Sequence, residues 1–212
     1  MKRNLISSVF AVLVFTVLLG VVYPLAITGI SEVAFSNRAD GSPIKRDGKV
    51  VGSKLLAQAY QLPVLDGNGK PKKDADGNPV TGPDPRYFQP RPSQTGYNAS
   101  GTFFSNRGPN SSSARYFYRD QLADYLKLNG HYNPGLTNAK VPSDAVETSG
   151  SGVDPHISTD NAEIQARRIA AVRNLPLDKV MQLVSDNTDG RFLGLLGEPG
   201  VNVTELNLAL DR

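Results

Sequence analysis

From Asn4 to Ser31 the chain carries no charged side chain. This run of 28 residues is crowded with Leu5, Ile6, Val9, Phe10, Val12, Leu13, Val14, Phe15, Val17, Leu18, Leu19, Val21 and Val22. About 20 apolar residues suffice to cross the ~30 Å hydrocarbon core of a bilayer as a helix. At ~1.5 Å per residue the run would reach roughly 42 Å. It predicts a membrane-spanning helix that Pro24 and Gly29 bend or end toward its far side, with Tyr23 near the interface. A cleaved signal peptide has a shorter apolar stretch and a small-x-small exit. The nearest such exit, Ala26-Ile27-Thr28, follows a proline. A buried core helix so uniformly apolar would be wet on one side. A retained anchor is the better reading, and Ser7, Ser8, Ala11 and Gly20 could let another transmembrane helix approach closely.

Lys2 and Arg3 precede the run, and the first charge beyond it is Glu32. The positive-inside rule keeps the N-terminus in the cytoplasm and sends the long remainder across the membrane. Residues 1–31 are thus expected to form the tip and anchor, and 32–212 an extracytoplasmic domain in contact with a membrane. With Lys2, Arg3 and Glu32 set aside, the 23 basic and 20 acidic residues nearly balance. No basic stripe interleaved with aromatics occurs, so nucleic-acid binding has no support. Zero cysteines exclude disulfide frameworks, thiolate metal sites and thiol nucleophiles, and two histidines leave little for an imidazole metal site.

Within the outer part, Val50 to Gln58 reads as a short strand and the start of another element. An excursion around 64–86 follows, in which Asp66-Gly67, Asp76-Gly77 and several prolines predict turns on the surface. Asp74, Asp76 and Asn78 alternate as calcium ligands do, but Pro79 stands where the loop needs glycine, and Pro85 where it needs glutamate. A Ser/Asn/Gly-rich loop from Gln94 to Ser113 leads into a helix capped by Ser112 or Ser113, with Tyr118, Leu122, Tyr125 and Leu126 on its apolar face. Gly130 ends it. A further helix starts near Thr159 to Asn161, with Ala162, Ala166, Ile169, Ala170 and Arg173 on one face. Another begins at Pro176 with Leu177, Val180, Met181 and Val184. The end, Val201-Asn202-Val203 and Leu206 to Leu210, alternates as a strand does. The fold class is α+β: one transmembrane helix, then one mixed α+β domain.

Ser149 to Ser158 places Ser151, Asp154 and His156 close together, the residue types of an acyl-transfer triad. The segment lacks the Gly-x-Ser-x-Gly elbow between strand and helix, so a glycine turn leading into a capped helix is the better reading. An anchored extracytoplasmic hydrolase using Ser151, Asp154 and His156 is the alternative. Gly194, Gly197 and Gly200 are spaced by threes without a lysine, which does not make a phosphate loop. Arg191 to Pro199 reads as a turn-rich connector. Asn98, Asn110 and Asn202 match the glycosylation pattern, which is frequent by chance, and Asn202 lies in an expected strand. No catalytic or metal residue is assigned, and no cofactor-binding residue can be named.

Several segments together carry a resemblance. They are the anchor ending in Tyr23-Pro24, Val51-Gly52-Ser53, Tyr87-Phe88 with Arg91-Pro92-Ser93, and Tyr97-Asn98. Ser149-Gly150-Ser151-Gly152-Val153-Asp154-Pro155-His156-Ile157-Ser158 and the Gln165 to Arg173 helix follow. Arg191-Phe192-Leu193-Gly194 then runs through Leu196-Gly197-Glu198-Pro199 to Val201-Asn202-Val203 and Leu206-Asn207. In these the chain resembles the C-subunit family of the bacterial Kdp potassium-transporting P-type ATPase, over nearly its whole length. The resemblance implies a non-catalytic accessory subunit of an inner-membrane potassium importer, assembled with a channel-like subunit and a P-type ATPase subunit. It also implies a catalytic chaperone that raises the ATP affinity of the pump subunit. With the domain outside, ATP is implied only through the complex, as a coupling free energy between sites. Asp66 to Arg86 is longer than the family's usual connection, Ser100 to Asn106 carries two added aromatics, and Gly200 stands where many members have arginine.

Overall fold

The computed structural model describes residues 2–212 and divides into two compact units, with the boundary between Val51 and Gly52. The first unit holds a helix from Lys2 to Ala39, 38 residues long and apolar enough to cross a membrane. It consists of α1 (Lys2–Val17), a π-helical turn (Leu18–Val22) and α2 (Tyr23–Ala39). Pro24 was expected to bend or end the helix, and the helix continues past it to Ala39. In the π turn the Tyr23 N–H donates to the Leu18 carbonyl, five residues back. The extra residue per turn places Pro24 in the first turn of α2, where a missing N–H is cheapest. The helix also outruns the uncharged stretch, passes a non-helical Phe35 (φ −142°, ψ 34°) and ends at Gly41 with φ +82°. A hairpin of β1 (Pro43–Arg46) and β2 (Lys49–Ser53) follows, of which only the second strand was legible.

The second unit opens with β3 (Gln61–Pro63) and β4 (Thr81–Pro83), paired antiparallel, Gln61 opposite Pro83. Between them the excursion folds into two similar turns. Asp66 Oδ1 accepts from the Asn68 and Lys70 N–H groups at 2.8 and 2.9 Å, and Asp74 Oδ1 from Asp76 and Asn78 at 3.0 and 2.8 Å. These carboxylates cap their own turns, as Asp does in Asx turns. The hydrogen bonds, that from the Asn78 N–H foremost, hold Asp74 below its usual carboxylate value.

Helix α3 (Ser112–Asn129) is capped by Ser111, one residue earlier than expected, its hydroxyl accepting from the Ala114 N–H at 3.1 Å. Ala114, Tyr125 and Asn129 are buried, while Tyr118 is exposed, so the buried stripe is rotated away from the one read by aromatic spacing. Strand β5 (His156–Ile157) leads into α4 (Thr159–Arg173), capped by Ser158, and α5 (Leu177–Asp186) follows with Pro176 as its N-cap rather than its first helical residue. Strands β6 (Thr188–Asp189) and β7 (Gly200–Asn202) complete a three-stranded antiparallel sheet ordered β5-β7-β6.

The last element corrects the expected terminal strand: Val203–Leu210 is a helix, α6. The alternation of Leu206, Leu208 and Leu210 is real. A period-3.6 set, Val203, Leu206, Asn207 and Leu210, occupies the same residues and is what packs inward. The core joins Ala162, Ala166, Ile169 and Ala170 of α4 to Val180 and Val184 of α5, with Phe88, Ile157, Val201, Val203 and Leu206. Each large aliphatic fully buried here contributes about 1.5–3 kcal/mol.

Candidate functional site

Ser151, Asp154 and His156 do not assemble as a triad. The Ser151 hydroxyl accepts from the Val153 N–H at 3.2 Å, and Ser149 accepts from Gly152 at 2.9 Å. His156 stands between two carboxylates: Nδ1 lies 3.4 Å from Asp154 Oδ1, and Nε2 lies 3.0 Å from Asp189 Oδ2. Hydrogen bonding to Asp154, with Asp189 adding to it against partial burial, pushes the imidazole up from its ordinary value of 6.5. Burial pushes Asp154 up, but His156 and Arg91 outweigh it and hold the carboxyl below its usual range. Both ring nitrogens face carboxylates, so neither is turned to the Ser151 hydroxyl to take its proton. The hydrolase reading is not supported. The segment is a clasp: Asp154 also accepts from the His156 N–H at 3.0 Å, and the Ser93 hydroxyl donates to the Gly152 carbonyl at 2.5 Å.

A second polar constellation lies inside the domain. Residues 87–89 run beside α4 and α6 with no strand neighbour, and side chains substitute for one. Asn207 Oδ1 accepts from the Phe88 N–H and its amide donates to the Phe88 carbonyl, both at 2.9 Å. Gln165 does the same for Gln89, at 2.8 and 3.0 Å. Gln165 also donates to Asn161 Oδ1, which accepts from the Tyr125 hydroxyl at 2.9 Å. Burial raises the Tyr125 phenol well above its ordinary range. Asp144 closes the network, accepting from Asn161 Nδ2 and from both the N–H and hydroxyl of Ser158. Arg168, fully buried, donates to the Tyr87 carbonyl at 2.7 Å and to Gln165 Oε1 at 3.1 Å.

Above this floor opens a cavity of about 290 Å³, walled by Gln61, Pro83, Gln89, Tyr97, Gln121 and Tyr125 among others. Asp124 is the one charged residue in its lining. It has no cation to balance a triphosphate, so its chemistry does not fit ATP. A cavity of about 460 Å³ carries Lys140 and Arg167, but Asp160 and Glu163 stand beside them and cancel their charge.

A protein-family model described as KdpC: K+-transporting ATPase, c chain, matches residues 5–212. The chain belongs to the KdpC family. It is 42% identical to a potassium-transporting ATPase KdpC subunit of Streptomyces avermitilis, the alignment covering 99% of this chain and 94% of that one. The Mycobacterium tuberculosis H37Rv protein of the same name is 40% identical, over the full length of both. One from Caldanaerobacter subterraneus is 41% identical over 93% of this chain and 89% of that one. The accessory-subunit reading of the sequence therefore stands at the level of a subunit of a potassium-transporting ATPase.

In this KdpC-family chain the connector between β6 and β7 does more than turn. Phe192 and Leu196 pair across a tight hairpin whose tip, Leu193 and Gly194, takes φ of +53° and +75°. Arg191 and Glu198 pair at its base, 2.7 Å apart. Phe192, Leu193, Leu195 and Leu196 are all more than 60% exposed. Sequence reading recognised the turn but missed the display. The signal was present: four large apolar side chains inside a segment that offers them no periodic face to bury.

Proposed function

We propose that this chain is a non-catalytic accessory subunit of an ATP-driven potassium importer. It is held in the bacterial inner membrane by its N-terminal helix, with the N-terminus in the cytoplasm and the α+β domain outside. Its partners are a channel-like potassium-translocating subunit and a P-type ATPase subunit. The observation that carries this reading is the pairing of surfaces that the chain does not satisfy itself. None of the apolar window of the anchor helix is buried, and the Phe192 to Leu196 hairpin is exposed. Such surfaces belong to a protein that works in contact with others. The site chemistry is compatible with this reading, since both ring nitrogens of His156 face carboxylates. Any rise in the pump's ATP affinity then arises by coupling through subunit contacts rather than from ATP held by this domain.

Purification of the tagged chain in mild detergent tests the assembly, and should bring the channel-like and ATPase subunits with it. Complexes formed without the chain should show a raised KM for ATP in the potassium-stimulated ATPase assay. Recovery of the chain alone, together with unchanged ATPase kinetics, would overturn the reading. Protease added to intact spheroplasts should digest the domain, and protection would reverse the topology.

A further inference from the structure

The hairpin between β6 and β7 carries no polar side chain from Phe192 to Gly197. Phe192, Leu193, Leu195 and Leu196 are each 62 to 81% exposed, so none of them is turned against the domain. The backbone is closed on itself. The Phe192 N–H donates to the Leu196 carbonyl at 2.8 Å, Gly194 to Arg191 at 3.0 Å, and Leu195 and Leu196 both to Phe192, at 3.2 and 3.0 Å. Backbone groups that enter hydrocarbon must be satisfied from within the protein, and these donors arrive paired. The charges stand at the root, where Arg191 and Glu198 pair at 2.7 Å. Leu193 lies two residues beyond Arg191, roughly 7 Å at the rise of a strand. That matches the ~5–10 Å that interfacial elements bury at the boundary of headgroups and acyl chains.

The way the chain enters the domain brings a bilayer within reach. Lys54 follows Ala39, the end of the apolar helix, by 54 − 39 = 15 residues. The Lys54 carbonyl accepts from Asn202 Nδ2 and the Leu56 carbonyl from the Thr204 hydroxyl, both at 2.9 Å. Asn202 is the last residue of β7, and the hairpin runs straight into Gly200, the first. The tether from the anchor and the root of the hairpin thus meet the domain on one short strand, roughly 7 Å apart along it. A segment tied so closely to a membrane helix meets lipid at high effective concentration. A shaped protein pocket covers one side of a hairpin, whereas acyl chains surround it, and the exposure of all four side chains fits surrounding.

We infer that the Phe192–Leu196 hairpin dips into the bilayer that holds the anchor helix, as a second, shallow attachment whose ligand is phospholipid acyl chain, with Arg191 and Glu198 at headgroup level. This rests on the membrane-anchored reading above and gives the hairpin to lipid rather than to a partner subunit.

The chain has no tryptophan, so Leu195→Trp, at the most exposed of the four positions, makes the hairpin the one indole in the full-length protein. In vesicles of phosphatidylethanolamine and phosphatidylglycerol its emission should be blue-shifted. Lipid brominated high on the acyl chain should quench it at least about twofold, as a shallowly buried side chain requires, and iodide on both sides of the membrane should leave it nearly unchanged. In the assembled complex, benzoylphenylalanine in place of Leu195 should form phospholipid adducts on illumination, identified by mass. Quenching by iodide but not by brominated lipid overturns the inference, as does a crosslink from position 195 to a partner subunit; both leave the anchored reading standing. An unaltered chain that does not float with the vesicles overturns the anchored reading itself, and the inference falls with it.

Discussion

The Arg168 guanidinium donates to Asn129 Oδ1 at 3.0 Å in the interior of the domain, and among the described residues no carboxylate pairs with it. Its other acceptors, the Tyr87 carbonyl and Gln165 Oε1, are also neutral, and its Nε has no partner. Desolvation pushes Arg168 down to about 10, so it stays charged at neutral pH. A full cation is therefore spread over dipoles from α3, α4 and the 87–89 segment. The Gln165 amide also joins α4 to the 87–89 segment, and the Asn207 amide joins α6 to it.

Arg168→Ala should destabilise the domain by about 3–5 kcal/mol, because Asn129 Oδ1 loses its donor, the Tyr87 carbonyl and Gln165 Oε1 each lose one of two, and a cavity opens. Arg168→Met keeps most of the volume and removes the buried charge, and should cost at least about 1 kcal/mol less. Urea unfolding of the detergent-solubilised chain, followed by tyrosine fluorescence, gives both values. Equal losses would mean that the lost hydrogen bonds of the cation, not packing, decide the cost at this position.

Much of this interior was open to reading before any coordinates. The i, i+4, i+7, i+8 spacing of Ala162, Ala166, Ile169 and Ala170 marked the buried face of α4, and the Asp-Gly dipeptides marked the turns of the excursion. Arg168 was not legible, because nothing local distinguishes a buried arginine on an amphipathic helix from a solvated one. Its burial depends on acceptors brought from Asn129 and Tyr87, far away in the chain. The α6 error has a local cause. Asn202 and Glu205 are spaced as an N-cap and its third helical residue, and that signal outranked the two-residue alternation of the leucines. Pro24 misled as a stop signal, since the π turn before it lets the helix continue to Ala39.

Gly152 sits at φ +74° in the Ser149–Ser158 clasp, and a Cβ there would lie 2.9 Å from Thr95 Oγ1 and 3.1 Å from Thr95 Cγ2. Gly152→Ala should therefore cost about 1–3 kcal/mol from backbone strain and crowding together. Gly150→Ala, whose Cβ meets nothing within 4 Å, should stay within about 0.5 kcal/mol. Paired thermal melts of the two variants separate conformational need from mere glycine content.

Asn202 ends β7 and caps α6 at once. Its Oδ1 accepts from the Glu205 N–H at 3.1 Å, and its amide donates to the Lys54 carbonyl at 2.9 Å. Asn202→Ala should cost about 1–3 kcal/mol, a lost cap plus a lost, partly buried hydrogen bond to the Lys54 carbonyl. Asn202→Asp keeps the cap and loses only the donor, so it should fall between. An Asp variant as unstable as Ala would assign the whole effect to the Lys54 contact.

The clasp at His156 makes the domain's stability depend on pH in a defined direction. Hydrogen bonding to Asp154, and then to Asp189, raises the folded imidazole above 6.5. Its contribution is therefore fully present below about pH 6.5 and disappears as pH rises through the folded value. Asp154 is lowered, with His156 and Arg91 overcoming its burial, so its contribution is present above about pH 4 and fades as pH falls through its folded value. Between these limits the clasp is intact. Asp189 is three-quarters exposed, so the gain should be below about 1 kcal/mol. Thermal melts of the solubilised chain and of His156→Gln at pH 6 and pH 9 check the sign. The unaltered chain should melt higher than the variant at pH 6, and the two should converge at pH 9. A gap that is the same at both values would mean that His156 holds the loop by shape rather than by charge.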